Sequence, residues 1–155
     1  MATSSALALL DHDLEKSGLL QEDLNAYIAQ EAELSAVGLK PHLYLGTAAQ
    51  SPGYIIPYYD IAGLRAPFYR LKLFNPSPKG ARYLQPSNVG SWIYFPQTFA
   101  RLLAKEVQKG SQGKILITEG EKKAAKACKA GFATCAVGGV YNWRNTTIIF
   151  PEGTE

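Results

Sequence analysis

The chain has 155 residues, 46% of them hydrophobic, two cysteines and a formal net charge of +3. That length suits one compact domain with a helical arm, and the hydrophobic content is adequate for a core. Two cysteines are too few for a disulfide framework, and no apolar stretch approaches the roughly 18 residues of a membrane-spanning helix.

Cys128 and Cys135 therefore read as reduced thiols of a cytoplasmic protein with no membrane partner. The early SSALALL run is short, has no basic start and is followed by acids, so it does not read as a signal peptide. The charge is uneven along the chain. Up to Gly63, two basic residues stand against eight acidic ones; from Leu64 onward, fourteen basic residues stand against five acidic ones. A basic second half suits either a phosphate-bearing partner or a plain solvated face.

In chain order, residues 4–36 read as helical. SALALLDHDLEKSGL is amphipathic and stops at Gly18. LQEDLNAYIAQEAELSAVGL then places Leu20, Leu24, Tyr27, Ile28 and Leu34 near helical spacing, before Gly38 and Pro41. Asp11, His12 and Asp13 read as helix acids and a surface histidine rather than a metal site. The cysteines with His12 and His42 make too scattered a set for zinc. Residues 41–53 look like loop.

GYIIPYYDIAGLRAPFYRLKLF predicts two strands, Tyr54–Tyr59 and Ala66–Phe74, turned at Asp60, Ala62 and Gly63. Period two puts Arg70 and Lys72 on one face of the second strand and Tyr69, Leu71 and Leu73 on the other. ARYLQPS and SWIYFP read as two short strands joined through Asn88 and Gly90. Gln97–Lys109 reads as an amphipathic helix with Phe99, Leu102, Leu103 and Val107 inward.

The last unit reads as strand Ile115–Thr118, helix Glu121–Ala130 and strand Ala133–Val137, with Gly131 ending the helix. Strand–helix–strand of this length implies a right-handed parallel crossover, its first strand looking buried. Ile148–Phe150 suggests one more short strand. There is no internal repeat.

Ligands of parallel α/β sheets gather at the carboxyl ends of strands, and Glu119 stands at such an end, before Gly120. A carboxylate there can bind Mg²⁺ or move protons in phosphoryl chemistry. It can equally, with Glu121, only favour the helix N-terminus, an effect of about 0.3–1 kcal/mol. Lys122, Lys126 and Lys129 follow at one-face spacing, with Lys123 beside them: a phosphate-contact stripe or a solvated face. Arg65, Arg70, Lys72, Lys79 and Arg82 interleave with Phe68, Tyr69, Tyr83, Trp92 and Tyr94. That pattern suits single-stranded nucleic acid, although tyrosines on strands also pack cores. No Walker loop, dinucleotide fingerprint, HExxH motif or hydrolase elbow is present, which weakens NTPase, dehydrogenase and hydrolase readings.

ILITEGEKKAAKACKAGF followed by GGVYNW resembles the start of a Toprim-type domain, the fold shared by bacterial-type primases, topoisomerases and some nucleases. LEKSGLLQEDLNAY, GYIIPYYDIAGLRAPFYRLKL and ARYLQPSNVGSWIYFP come before it in order. The series resembles a Toprim-like family with a domain of unknown function, DUF3854, of phage and plasmid primase or primase–helicase proteins. The resemblance runs from about Leu14 to Trp143.

It implies an α/β chain, α+β overall. A helical segment would span residues 1–40, an antiparallel β block with a closing helix 41–110, and an incomplete Toprim-like unit 111–155. It also implies that Glu119 is the catalytic and metal residue, acting near Mg²⁺ in making or breaking phosphodiester bonds. Lys122 and Lys123 match the lysines of the family's signature. A complete Toprim site adds an Asp-x-Asp pair on a later strand. Here no aspartate follows Asp60, and past Glu121 the acids are Glu152 and Glu155.

Two functions remain open, beside the reading of a structural adaptor whose basic face is only solvated. One is the N-terminal and Toprim part of a mobile-element DNA primase, with Mg²⁺-dependent chemistry in a longer chain. The other is a non-catalytic module that binds single-stranded DNA or other nucleic acid, or a helicase or other replication protein.

Overall fold

Ala6, Leu10 and Leu14 recur every fourth residue, and they form the buried stripe of the first helix, α1 (Ser4–Glu15). Gly18 follows with φ 64°, a left-handed conformation that ends the run. The structure, a computed structural model, describes residues 4–43, 51–139 and 146–147. The chain forms two compact units: Met1–Pro57 with Phe68–Val89, and Tyr58–Pro67 with Gly90–Glu155.

In the first unit, the continuous helix expected after Gly18 is broken. A single turn, α2 (Gln21–Leu24), ends where Asn25 adopts φ 50° and ψ 34°. Tyr27–Ile28 then form strand β1, and α3 (Glu31–Ala36) follows. The apolar spacing fitted a helix, but Tyr27 and Ile28 find strand partners in Ile55 and Tyr54. An aromatic and a β-branched residue suit that pairing, and tertiary contact outweighs the local pattern. Each short helix opens with an acid reaching back: Asp23 accepts the Leu20 N–H and Glu33 the Gln30 N–H, both at 2.7 Å.

β2 (Gly53–Tyr59), β3 (Arg65–Leu73) and β4 (Tyr83–Leu84) complete a sheet of order β1-β2-β3-β4. The β2–β3 turn forms as its residues predict. Asp60 Oδ1 accepts N–H bonds from Ala62 at 2.9 Å and Leu64 at 2.8 Å, and Gly63 takes φ 88°. Ala29, Leu34, Ile55 and Leu71 form a buried cluster, against which Tyr69, Leu73 and Leu84 pack.

The second unit contains β5 (Ser91–Trp92), α4 (Phe99–Val107), β6 (Leu116–Glu119), α5 (Glu121–Lys129), β7 (Thr134–Val137) and β8 (Thr146–Thr147). The two short strands expected on either side of Asn88 and Gly90 form as β4 and β5. β4 pairs back onto β3, and β5 pairs in parallel with β8. The unit's core gathers Phe95, Phe99, Leu102, Cys128, Ala133 and Cys135. Val107, expected inward, is 68% exposed, one turn past the part of α4 that reaches this core. Glu106, near the end of α4, accepts the Lys114 N–H at 2.9 Å and so ties down the approach to β6.

β6 and β7 are parallel, in register from Leu116 opposite Thr134 to Glu119 opposite Val137, with α5 crossing between them. On the other side of β7, Tyr94 and Ala136 exchange backbone hydrogen bonds at 2.8 and 2.9 Å, and Phe95 bridges to Tyr59. All of β7 is buried. β6 is not: Leu116 is exposed, as is Ile115 just before the strand, and Ile117 is 70% exposed. Its aliphatic run reads as a buried strand, but among the described residues β6 has one strand partner and an open edge. The expected strand Ile148–Phe150 and the phrase Tyr141-Asn142-Trp143 lie outside the described residues.

Gly53 offers a direct test of how closely β2 and β3 approach. A Cβ there would stand 2.0 Å from the Lys72 carbonyl oxygen. Gly53→Ala is expected to cost about 1–3 kcal/mol through overpacking. Urea denaturation should show a lower midpoint with an unchanged slope; an unchanged midpoint would mean that the strands separate freely at this point.

Candidate functional site

The parallel pair determines where the chain turns. β6 ends at Glu119, and α5 begins at Glu121, so the corner between them is Gly120, at φ 87° and ψ 142°. A side chain is strained in that conformation, and beyond the adjoining chain no described atom lies within 4 Å of where its Cβ would be. Glu119 is exposed at the strand end. Glu121, two residues on, is 2% exposed and accepts the Tyr58 O–H at 2.7 Å. Two neighbouring glutamates thus occupy opposite environments.

Reading both acids as helix-start charges missed the burial of Glu121. A signal was present: Glu121, Ala124, Ala125 and Cys128 stand at i, i+3, i+4 and i+7, one helical face, and all four are buried. The lysines take the other side. Lys123, Lys126 and Lys129 are exposed and Lys122 is half-buried. Arg65, also in this unit, is exposed and donates from its guanidinium to the Tyr58 carbonyl at 3.4 Å. Glu119, Lys122, Lys123, Lys126 and Arg65 therefore belong to one compact unit.

Arg70, Lys72 and Arg82 belong to the other. Arg70 lies 4.6 Å over the ring of Tyr83, a cation–π contact across the β3–β4 pair. Arg82 and Lys79 are exposed. Lys72 has a different environment from the one its alternation with Arg70 suggested. Its side chain is 17% exposed and ion-paired to Asp13 at 2.9 Å. Asp13 also accepts the Tyr54 O–H at 2.6 Å. The Lys72 charge is thus balanced within the unit.

Both cysteines are free and buried, and burial raises each thiol above its usual value. Cys128 Sγ–H donates to the Thr134 carbonyl at 3.3 Å, a packing role. Among the described residues, no three His, Cys, Asp or Glu side chains gather as a metal cluster. No described helix is long and apolar enough to cross a membrane. For a hard cation, the corner offers one exposed carboxylate, Glu119, beside open space at Gly120.

No family model matches the sequence, and neither does any curated protein. Solved structures do match in fold. One is described as the structure of the DnaG catalytic core, at 15% identity and TM-score 0.50, over 92% of this chain and 54% of that one. Another is described as the DnaG primase catalytic domain bound to ssDNA, at 14% identity and TM-score 0.50, over 92% and 55%. The mixed α/β architecture resembles these structures in fold, and the chain spans a little over half the length of these neighbours.

Tyr94 makes the electrostatics of the corner measurable. It is fully buried, and no described residue hydrogen-bonds to its hydroxyl. Burial, then the charge of Glu121, raises its pKa well above the ordinary tyrosine value. The unfolded chain releases this proton at about pH 10, while the folded chain holds it. The stabilisation is fully present below that pH and declines as pH rises through it. Thermal melts are expected to show wild type losing stability more steeply above about pH 10 than Tyr94→Phe. Parallel curves would contradict the shift.

Proposed function

We propose that this chain is part of a primase-like replication protein akin to the Toprim-like DUF3854 proteins, one that binds single-stranded DNA in the cytoplasm. Glu119 acts there beside Mg²⁺. The observation that carries this reading is the β6–α5 corner, with an exposed carboxylate at the carboxyl end of a parallel strand and lysines on the helix that follows. The fold shared with a primase catalytic domain bound to ssDNA supports it.

Glu119 supplies one oxygen. Mg²⁺ keeps several waters and is commonly held by one or two carboxylates with substrate phosphates, so the corner fits such an ion. When bound, the ion would neutralise charge on phosphate oxygens. Glu119 would hold it or move a proton at the reacting oxygen. Lys122, Lys123, Lys126 and Arg65 would hold backbone phosphates. Phosphodiester chemistry belongs to a longer chain that completes the carboxylate set, and a helicase or other replication protein is the partner class.

A second reading, a non-catalytic binding module, rests on the first unit. There the Arg70–Tyr83 stack with exposed Arg82 and Lys79 forms a cationic, aromatic surface that needs no metal to bind a single strand.

Titration of labelled single-stranded DNA into wild type and Glu119→Gln, with and without Mg²⁺, separates the two. Wild-type affinity is expected to rise about tenfold with Mg²⁺, equivalent to ~1.4 kcal/mol, and the variant to lose that response. Equal, salt-sensitive, Mg²⁺-independent binding by both would favour the binding module. Absence of binding by both would overturn each nucleic-acid reading for this chain.

A further inference from the structure

Glu121 is a carboxylate out of water, 2% exposed, and such a group is costly unless donors replace its hydration. Tyr58, 1% exposed and near the end of β2, supplies a donor at 2.7 Å across 63 residues of sequence. The first position of α5 adds the positive end of a helix dipole. The backbone of the corner is held by two further bonds. Gly120 N–H donates to the Val137 carbonyl at 3.2 Å, and Ala124 N–H to the Gly120 carbonyl at 3.3 Å. Glycine at the corner has no side chain to wedge against a wall, and open space lies beside it. The side chain of Glu121 ties this turn to the interior of the unit.

We infer that Tyr58 and Glu121 are positioning residues. Their buried hydrogen bond sets the direction in which the chain leaves β6, and with it the direction in which Glu119 presents its carboxylate. The inference deepens the proposed function and rests on it only for the role of Glu119. Tyr94 is a natural comparison. Its ring packs edge-on to Tyr58, with centroids 5.1 Å apart and planes at 69°, and its hydroxyl is buried without a described partner. Phenylalanine at either position keeps the ring packing. Only at position 58 does it take a donor from a buried carboxylate.

The experiment measures amide hydrogen exchange by NMR in wild type, Tyr58→Phe, Tyr94→Phe, Glu121→Gln and the Tyr58→Phe/Glu121→Gln double variant. The Mg²⁺ response of single-stranded DNA binding is recorded in parallel. In Tyr58→Phe, exchange at Gly120 and Ala124 is expected to quicken about tenfold beyond any change at Leu102 on α4. Tyr94→Phe should leave that ratio as in wild type. The double variant, with no charge left to solvate, should exchange more slowly at the corner than Tyr58→Phe alone. Tyr58→Phe should also lose the Mg²⁺ response while its Mg²⁺-free DNA affinity stays unchanged.

A uniform quickening, or the same corner effect from Tyr94→Phe, would make Tyr58 a core residue and overturn the inference. A retained Mg²⁺ response in Tyr58→Phe would do so too. If wild type shows no Mg²⁺ response yet the corner exchanges as expected, the positioning role stands and the metal reading falls.

Discussion

Two parallel strands cannot be joined by a tight turn, because the chain must return the length of the strand before pairing again. In this protein α5 makes that return, and the rest of the corner depends on it. The crossover forces the carboxyl end of β6 and the N-terminus of α5 to meet at Gly120. It also divides the two glutamates. Glu119 ends a strand that has one strand partner among the described residues, and it is exposed. Glu121 starts a helix whose small face, Ala124, Ala125 and Cys128, is buried, so it is carried inward. One backbone requirement thereby yields one carboxylate exposed at the strand end and one buried on the packed face of the helix.

The cations show the same dependence on neighbours. Arg70 and Lys72 come two residues apart on one strand, and their chemical meaning differs completely. Lys72 is matched by Asp13 from α1, which also receives the Tyr54 hydroxyl. A partly buried charge of that kind needs its partner and has little to offer a phosphate. Arg70 keeps its charge over an aromatic ring, an arrangement that interacts with π-faces and anions alike. On α5, Lys123, Lys126 and Lys129 are exposed, so any Coulomb interaction of theirs is screened by salt.

Much of the fold was legible locally. The Asp60–Gly63 turn, the alternation of β3, the strand–helix–strand of the last unit and the polar stripe of α5 all follow from rules within a few residues. The failures share one cause. Leu24, Ile28 and Leu34 keep helical spacing, yet Ile28 becomes a strand because Tyr54 is there to pair with it. Ile115–Ile117 look buried, yet their exposure depends on whether another strand lies alongside. Val107 continues an apolar stripe past the point where the core ends. β5 finds a partner more than fifty residues later, in Thr146–Thr147.

The candidate site divides in the same way. By itself, the amino-acid sequence determined that a carboxylate, a glycine and a run of lysines follow an aliphatic strand. It determined this because strand period, helix period and glycine's tolerance of positive φ are properties of neighbouring residues. Only the tertiary structure decided that Glu119 faces solvent and that Glu121 is held by Tyr58. It also decided that Lys72 is already neutralised. Burial and pairing depend on what comes close in space, and Tyr58 comes close to Glu121 across 63 residues of chain.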